Sequence, residues 1–510
     1  MSVAGSGGDE VLDAAIVGLG PAGVAVGAML ARRGLRVAAF EREPGVFHMP
    51  RAVHFDGDVM RNFQSIGACD DLRDCTVVGE GMHFVNADGK TLLAIDAKAL
   101  AGDSGWDLSY FFHQPALETV LRKHASAAGL AMHLRHEVEA IEPGDAADPS
   151  KPASIRVRDL ATGAVREVRA AWVLGCDGAR SLARVATGTV LDDLRFDQPW
   201  LVCDVVLRRD VDLPRWAVQY CDPARPSTYV PIAGRRRRWE FMLMPGETRE
   251  ELERPERVAA MLAPWLGPDD AEIERATVYV FHALIASPWR RERVLLLGDA
   301  AHQTPPFLGQ GMCAGMRDAA NLAWKIDLVQ RGLASRALLD SYEHERSPHV
   351  RRVIESAVAA GGLIQTTDPE VAKARDEMFL SGNAPSPIDL VPRATDGVYD
   401  DRPDDAAAGK PLPQPRDGAG RLLDDSLGDG FAVVGADDPR AACGADAVGR
   451  LERVGARFVA APALRPWLAK VGAVAAVVRP DRFVYGSARD AADLDRLVRG
   501  LADRLGAPGA

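Results

Sequence analysis

A glycine-rich hexapeptide near the N-terminus constrains the fold of this chain more than any other feature. The hexapeptide, GLGPAG (Gly18–Gly23), follows the apolar run Asp13–Gly18 and opens a helical pattern at Pro21–Arg33. A second strand is predicted at Arg36–Glu41. Residues 13–41 therefore predict a strand–helix–strand unit in a buried parallel sheet.

The spacing of these glycines predicts a dinucleotide site. Gly18 permits a tight turn, Gly20 lets the backbone approach a pyrophosphate, and Gly23 allows close packing of helix on strand. Glu41 ends the second strand, where a carboxylate can accept a ribose hydroxyl. The predicted cofactor contacts in this unit are Gly18, Gly20, Pro21, Ala22, Gly23, Glu41 and Arg42. The pattern does not distinguish FAD from NAD.

A second segment, Arg293–Lys325, has the same character far along the chain. The apolar run Val294–Leu297 ends at Gly298-Asp299, and a loop rich in proline and glycine leads into a helical pattern at Gly315–Arg331. A buried strand that feeds a glycine loop and a helix N-terminus suits phosphates and ring-bearing cofactors. With the hexapeptide, this segment predicts a two-part cofactor site.

The bulk composition excludes several classes of function. The 510 residues carry a formal net charge of −11, which disfavours nucleic acid or an anionic membrane as a partner. No apolar run approaches the roughly 20 residues of a membrane span, and MSVAGSGGDE at the N-terminus is expected to be a frayed leader rather than a signal peptide. The seven cysteines form no CxxC pair and the eleven histidines no cluster. We therefore expect reduced thiols, a cytoplasmic protein and no metal site.

The glycine loop of the second segment carries a family resemblance. GDAAHxxPP followed by GQGMxxGxxDAxNLAWK resembles the FAD-binding segment of the p-hydroxybenzoate hydroxylase superfamily of flavin monooxygenases. The resemblance implies that Asp299 bonds the ribityl chain and that Gly309–Gly315 lies along the pyrimidine side of the flavin. A helix N-terminus near Gly315 would stabilise negative charge on reduced flavin. The implied contacts are Gly298, Asp299, Gly309, Gly311 and Met312. The family often has Asn where this chain has Cys313, which leaves redox tuning open.

Three shorter matches extend the resemblance. Asp177-Gly178 follows a predicted strand and resembles a motif that contacts the FAD pyrophosphate region; a bare Asp-Gly is otherwise a turn. Arg51, in Pro50-Arg51-Ala52, matches a position near flavin and substrate, and is otherwise a surface arginine. Gln114 matches a position that bonds FAD, and is otherwise a helix-initiating polar residue.

The resemblance narrows to 3-(3-hydroxyphenyl)propionate hydroxylase and its relatives. It rests on YCDPARP (Tyr220–Pro226), RRRRWEFMLMPGET (Arg235–Thr248) and RPDRFVYG (Arg479–Gly486), and covers nearly the full chain. It implies a monooxygenase that uses FAD, NAD(P)H (NADH favoured) and O₂ to hydroxylate a phenolic acid ortho to its hydroxyl.

The resemblance also implies an α/β fold with an α+β insertion. We expect a discontinuous Rossmann-like FAD-binding domain at 1–185 plus 285–385, and a β-rich substrate-binding domain at 186–284. A linker is expected at 386–421 and a thioredoxin-like C-terminal domain at 422–510. Because this tail has no CxxC, its expected role is packing or oligomerisation, and self-association into a homodimer is left open.

The sequence leaves alternatives for the residues that bind the substrate and take up its phenolic proton. Arg51 and Pro305 are the expected catalytic positions, with Pro305–Phe307 as a dry wall beside the flavin. Arg225 or one of Arg235–Arg238 could hold a substrate carboxylate, although a charge-paired sheet edge would look the same. Residues with suitable chemistry for the phenolic proton are His113, Tyr110, Tyr229, His282 and His302. Alternative functions are hydroxylation of a polycyclic aromatic, an FAD reductase that does not activate O₂, and a degenerate binding subunit.

Overall fold

The computed structural model describes residues 11–98, 102–382 and 397–505. The expected N-terminal leader and residues 386–396 of the expected linker lie outside these ranges. No helix of the described ranges is long and apolar enough to cross a membrane.

In the described residues, the strands form two eight-stranded sheets, one four-stranded sheet and one three-stranded sheet. In chain order they are β1 (Leu12–Val17), β2 (Val37–Glu41), β3 (His54–Asp56), β4 (Thr76–Val78), β5 (Gly81–Asn86), β6 (Thr91–Asp96), β7 (Ser109–Phe112), β8 (Ala131–Leu134), β9 (His136–Glu142), β10 (Ala153–Asp159), β11 (Val165–Gly175), β12 (Val190–Leu207), β13 (Ala217–Cys221), β14 (Ser227–Pro231), β15 (Arg236–Met242), β16 (Ala271–Ser287), β17 (Arg290–Arg291), β18 (Val294–Leu296), β19 (His302–Gln303), β20 (Ala432–Gly435), β21 (Arg457–Ala460), β22 (Ala475–Val478) and β23 (Val484–Ala488).

The described ranges also contain thirteen α-helices. They are α1 (Pro21–Arg32), α2 (Gly57–Ser65), α3 (Gln114–Ala127), α4 (Leu182–Ala186), α5 (Arg249–Leu252), α6 (Pro255–Leu262), α7 (Gly311–Gln330), α8 (Asp340–Ile364), α9 (Pro369–Leu380), α10 (Asp424–Leu427), α11 (Ala445–Arg453), α12 (Arg465–Val471) and α13 (Ala491–Leu505).

The cofactor motifs lie on one parallel sheet. β18, β11, β1, β2 and β8 run side by side in that order, all parallel. Residues 14–17 of β1 are buried because helices cover the sheet, as expected for parallel strands with apolar runs. Three motif-bearing loops follow β1, β11 and β18, so the parallel register places them at the same edge of the sheet. The mixed α/β architecture is as predicted.

A second, largely antiparallel sheet forms the middle of the molecule. Its order is β19-β16-β12-β15-β14-β13-β5-β6. The sheet takes in β5 and β6, at Gly81–Asn86 and Thr91–Asp96, which precede the 186–284 segment in the chain. β15, which carries Arg236–Arg238, lies between β12 and β14. The alternative prediction that the Arg235–Arg238 run forms a charge-paired sheet edge is therefore wrong about the edge.

The C-terminal part has the thioredoxin-like topology that the resemblance implied. β20 and β21 are parallel, β22 is antiparallel to β20, and β23 is antiparallel to β22, in the order β21-β20-β22-β23. Residues 397–421 pack on this part rather than extending from it. Leu412 is fully buried, and Val398 is 4% exposed.

A buried ion cluster joins the C-terminal part to the cofactor-binding part. Glu345 of α8 accepts two hydrogen bonds from Arg479, at 3.0 and 2.8 Å, and lies 3.0 Å from Lys325 Nζ of α7. Burial raises the pKa of Glu345, but the charges of Arg479 and Lys325 outweigh it and bring the pKa to about 2. Burial lowers the pKa of Lys325 to about 8. The cluster is therefore ionised at neutral pH.

Two helices differ from their predicted bounds. α7 begins at Gly311, not near Gly315, because Gln310 already serves as its N-cap. The sequence pattern predicts a helix over Ser335–Ala360 that Pro348 interrupts, whereas α8 runs from Asp340 to Ile364 without a break. Buried residues on both sides of the proline, Tyr342 and Val350 among them, hold the two halves on the core, and such packing overrides the local cost of the ring.

Candidate cofactor and substrate site

The hexapeptide folds as a tight turn packed against the loop after β11. Gly18 has a φ of +91°, and a Cβ there would be 2.5 Å from the carbonyl oxygen of Cys176. A Cβ on Gly23 would be 2.2 Å from the Gly18 carbonyl oxygen. Gly20 faces open space, with Arg51 Nη2 the nearest atom at 4.0 Å. Two glycines are thus required by packing, and the third leaves room for a ligand.

Glu41 is oriented toward this turn. Its Oε2 accepts a hydrogen bond from Leu19 N at 2.8 Å, and its Oε1 accepts one from Glu43 N at 3.0 Å. The carboxylate therefore stands beside the turn, with further acceptor capacity on each oxygen. Arg42 is exposed and lies 3.7 Å from Glu43.

The second motif meets the first through three small residues. Gly298 has a φ of +58°, and a Cβ on it would be 3.3 Å from Ala22 Cβ. A Cβ on Gly315 would be 3.2 Å from Gly298 Cα and 3.4 Å from Ala22 Cβ. Asp299 is exposed next to this contact. Two segments that are distant in sequence therefore form one surface, as predicted from the motifs.

A buried network holds the Gly298 turn on α7. Asp318 accepts hydrogen bonds from Gly298 N at 3.1 Å, His302 Nε2 at 2.7 Å and Arg346 Nε at 2.8 Å. Burial alone would raise the pKa of Asp318, yet His302 and Arg346 lower it. His302 thus has a structural partner.

The Asp177-Gly178 turn is capped from within. Asp177 accepts hydrogen bonds from Ser181 Oγ at 2.5 Å and Ala183 N at 3.0 Å, which fixes the start of α4. Gly178 has a φ of +77° and no atom near its Cβ position, so it faces the open edge of the parallel sheet.

Gln114 supports the Arg51 segment. Its Oε1 accepts hydrogen bonds from the backbone N–H groups of Arg51 and Ala52, both at 2.7 Å, and its Nε2 donates to Glu118 at 2.7 Å. Arg238 donates to the carbonyl oxygens of Pro50 and Arg51 at 2.8 and 2.7 Å. The segment is therefore fixed from both sides, while the Arg51 side chain remains exposed near Gly20.

Aromatic residues of the middle sheet back the proline loop. Phe307 is 2% exposed, with its ring centroid 5.5 Å from that of Trp200 and 6.3 Å from that of Phe281. Gln219 of β13 donates to the Phe307 carbonyl oxygen at 3.4 Å. Pro305 is buried beside this cluster. The loop is apolar and anchored, as a water-excluding wall requires.

A short strand that the sequence pattern did not predict contacts the glycine loop and holds it in place. β3 carries Asp56, which accepts hydrogen bonds from Gln310 Nε2 at 3.2 Å and Arg317 Nη2 at 2.7 Å. It also carries His54, whose Nδ1 is 3.4 Å from the Gly309 carbonyl oxygen. Gly309 has a φ of +63°, and a Cβ there would be 2.8 Å from His54 Nδ1. The signal in the sequence was the position of His54, three residues after Arg51.

The structure gives several predicted proton-handling residues other partners. The Tyr229 hydroxyl donates to the Pro214 carbonyl oxygen at 3.1 Å, and Tyr110 bonds Asp107 through its hydroxyl. His282 pairs with Asp197 at 2.5 Å and is partly exposed. Burial lowers the pKa of His113, which is the N-cap of α3.

The arginines proposed for a substrate carboxylate face protein carboxylates or carbonyls. Arg225 makes two bonds of 2.6 Å to Glu247, and Arg236 pairs with Glu274 at 3.1 Å. Arg238 is 2% exposed and bonds Asp204 at 2.7 and 3.0 Å. Such pairing favours a structural role for these arginines.

Residues 11–357 match the model of the FAD binding domain family, which is more than half of the chain. The chain belongs to this family. A second model, the HcaD C-terminal domain, matches residues 409–463.

Proteins similar to this chain include aromatic hydroxylases. A probable NADH-specific resorcinol 4-hydroxylase of Rhodococcus jostii is 38% identical over 97% of this chain and 95% of its own length. A 3-(3-hydroxy-phenyl)propionate/3-hydroxycinnamic acid hydroxylase of Burkholderia cenocepacia is 33% identical, covering 92% of each chain. The solved complex of aklavinone-11 hydroxylase with FAD and aklavinone has a TM-score of 0.79 at 24% identity, covering 98% of this chain and 100% of that one, and shows the shared fold.

The residues present fit FAD. α1 and α7 both begin without a side-chain cap and without an acidic residue in the first turn, so their N–H groups remain for a ligand. The open Gly20 suits a pyrophosphate, and the exposed Asp299 suits a ribityl hydroxyl. In the described ranges, no cluster of His, Cys, Asp or Glu is arranged to hold a metal ion.

Proposed function

We propose that this protein is an FAD-dependent monooxygenase that consumes NADH and O₂ and hydroxylates a small meta-substituted phenol ortho to its hydroxyl. The observation that carries the proposal is the meeting of the Ala22, Gly298 and Gly315 motifs beside an apolar, aromatic-backed loop. The relatives named as NADH-specific resorcinol 4-hydroxylase and 3-(3-hydroxy-phenyl)propionate/3-hydroxycinnamic acid hydroxylase support the reaction class and NADH.

The residues divide the work of such a reaction among them. FAD, when bound, supplies the redox and oxygen chemistry that side chains lack. Gly18, Gly20, Pro21, Ala22, Gly23, Glu41, Arg42, Gln114, Asp177, Gly178, Gly298, Asp299, Gly309, Gly311 and Met312 are the proposed cofactor-binding set. Gln114 acts within this set through the backbone of Arg51, which it holds in place. Arg51 is proposed to contact both cofactor and substrate.

The protein must also keep the reacting ring dry and oriented. Pro305 and Phe307 exclude water on one side, because Trp200 and Phe281 pack behind them. The N-terminus of α7 at Gly311 presents N–H groups that would stabilise negative charge on reduced flavin.

The charge pairing in the middle sheet bears on the substrate. Four of the five arginines that could have bound a carboxylate are paired with an acidic residue, namely Arg225, Arg235, Arg236 and Arg238. Arg237 donates to backbone carbonyl oxygens. This supports a phenol without a carboxylate, such as resorcinol, as the first substrate to test. 3-(3-Hydroxyphenyl)propionate is the second candidate, supported by the Burkholderia relative.

The experiment uses the purified, FAD-loaded protein in air. NADH and NADPH oxidation are followed with resorcinol, with 3-(3-hydroxyphenyl)propionate and with 1,3-dimethoxybenzene as a control that has no hydroxyl. Hydroxylated product and hydrogen peroxide are measured in the same samples. We expect NADH oxidation to be accelerated by a phenol and coupled to product with an added ortho hydroxyl.

Other results would redirect or reject the proposal. Peroxide without product from both small phenols, with product from a polycyclic phenol, would replace the substrate class. Oxidation of NADH by an organic acceptor, with no response to any phenol, would indicate a reductase. Homodimer formation remains a separate proposal, tested by the mass in solution.

A further inference from the structure

A histidine and a serine that the cofactor motifs do not use lie together beside the glycine loop at Gly309. His54 Nε2 is 3.1 Å from Ser109 Oγ, and His54 Nδ1 is 3.4 Å from the Gly309 carbonyl oxygen. Both residues belong to the small sheet formed by β3, β7 and β4, and His54 contacts the glycine loop.

The register of the small sheet places both side chains on one face. His54 is paired with Phe111, and Asp56 with Ser109, in the antiparallel ladder between β3 and β7. Side chains directly opposite each other share a face, as do residues two apart on one strand. His54, Asp56, Ser109 and Phe111 therefore point to the same side.

That side meets the apolar wall of the middle sheet. Phe111 packs with Ala217 and Val230, with Val53 and Met82 at the margin. The ring centroids of His54 and Phe111 are 5.8 Å apart. Phe111, Ala217 and Val230 are buried, whereas Val53 and Met82 are partly exposed. A phenol that lies against this margin beside the glycine loop would bring its hydroxyl close to the His54–Ser109 pair.

The polypeptide leaves room for the pair at two glycines. A Cβ on Gly309 would be 2.8 Å from His54 Nδ1, and a Cβ on Gly79 would be 2.5 Å from Ser109 Oγ. Gly79 does not have a positive φ, so its backbone conformation does not require glycine. The contact with the β7 side chains gives a reason for glycine at this position.

The hydrogen bonds define how the pair can carry a proton. A carbonyl oxygen only accepts, so the bond to Gly309 requires the proton on Nδ1, and Nε2 of the neutral ring then accepts from the Ser109 hydroxyl. If Nε2 takes up a proton, it can donate to the same hydroxyl oxygen, which both donates and accepts. Both bonds thus survive a change of charge on the ring.

Burial keeps the His54 ring neutral until it takes up a proton. Burial lowers the pKa of His54, Asp56 on the same strand opposes this, and Arg317 of α7 adds to it. His54 is partly exposed, so a proton taken up by its ring can pass on to water.

We propose that His54 and Ser109 form a proton relay that removes the phenolic proton as the ring carbon is hydroxylated. The phenolic O–H bond breaks, the proton passes through Ser109 Oγ or directly to His54 Nε2, and its electron pair stays on the phenolic oxygen. This step makes the ring more nucleophilic at the ortho carbon. The inference rests on the proposed function and adds residues that none of the family motifs contains.

The test compares His54→Gln and Ser109→Ala with the unaltered enzyme and with His136→Gln, a control in β9. FAD content, phenol affinity from the change in flavin absorbance, and product per NADH are measured from acid to alkaline pH. We expect His54→Gln to retain FAD and phenol binding but to form product on the order of 100-fold more slowly, a typical contribution of general acid–base catalysis. Ser109→Ala should show the same change with a smaller factor.

A merely structural role would not respond to the acidity of the substrate. A fluorinated resorcinol, whose hydroxyl ionises at lower pH, should restore product formation in His54→Gln, as should alkaline pH. In the unaltered enzyme, product per NADH should fall as acid protonates His54, and this dependence should vanish in His54→Gln.

Each contrary result overturns a defined part of the inference. Unchanged coupling and an unchanged pH profile in His54→Gln would reject the relay. If His54→Gln loses FAD, the Ser109→Ala variant provides the test, because full coupling of NADH oxidation to product in that variant would also reject the relay. If the unaltered enzyme forms product and both variants form it equally well, the relay alone is contradicted. If the unaltered enzyme forms no product from any phenol, the proposed function is contradicted as well.

Discussion

Gly315 of α7 lies so close to Gly298 that a Cβ on Gly315 would be 3.2 Å from the Gly298 α-carbon. The same atom would be 3.4 Å from Ala22 Cβ in α1. A methyl group on Gly315 would therefore contact Ala22 of the other motif and would be too close to the Gly298 backbone by a few tenths of an ångström. The relative position of the two halves of the cofactor site depends on this contact.

Gly315→Ala should separate the two halves. Overpacking of this kind costs about 1–3 kcal/mol, because backbone rather than a flexible side chain must move. We expect a lower midpoint of denaturant unfolding and reduced FAD retention on gel filtration. Gly362→Ala is the matched control, since Gly362 is exposed in α8 with no atom within 4 Å of its Cβ position. Equal FAD retention in the two variants would mean that the contact does not set the site.

The local motifs could be predicted from the sequence because each needs only its own residues. Gly18 and Gly298 have positive φ values where the pattern required turns. The roles of Arg238 and His54 could not be predicted, since they depend on partners far away in sequence. Arg238 is buried because β12 and β14 flank its strand, and His54 faces a loop that begins some 250 residues later. Periodicity reports which face is apolar, not which strand will be its neighbour.

Arg238 and Arg236, two residues apart on β15, should differ sharply on substitution. Arg238 is buried with Asp204 and supports the Arg51 backbone, so Arg238→Met leaves the buried Asp204 carboxylate with Arg275 in place of two cationic partners. We expect a loss of about 3–5 kcal/mol in the free energy of unfolding. Arg236→Met removes a partly exposed pair with Glu274 and should cost less than about 1 kcal/mol. Similar unfolding midpoints for the two variants would contradict the structural role of Arg238.

Asp299→Ala should weaken FAD binding while leaving the fold intact. Asp299 is exposed at the Gly298 turn, and the proposed function assigns it a hydrogen bond to the cofactor. Loss of a hydrogen bond to a charged group costs roughly 1.5–3 kcal/mol, which corresponds to an FAD dissociation constant on the order of 10- to 100-fold larger. Flavin fluorescence on dilution measures the change. Asp269→Ala, at another exposed aspartate, is the control, and an equal dissociation constant in both variants would remove Asp299 from the site.

Glu345→Gln should destabilise the protein in a pH-dependent way. The folded-state pKa of Glu345 is about 2, below its ordinary value of 4.5. A depressed carboxyl pKa contributes stability that is present above the unfolded value and is lost as pH falls through the folded one. A shift of this size corresponds to a free energy on the order of 3 kcal/mol. We therefore expect the gap in unfolding free energy between the unaltered protein and the variant to be largest above about pH 4.5.

The difference between two proteins, rather than either curve alone, isolates this carboxylate. Other buried acids, such as Asp318 and Asp424, also lose their ion pairs in acid, and they do so equally in both proteins. Glu355→Gln on the same helix, at an exposed position, should show no gap at any pH. A gap for Glu345→Gln that stays constant as pH falls toward 2 would mean that the destabilisation comes from altered packing, and that the charge on Glu345 does not hold Arg479 to α8.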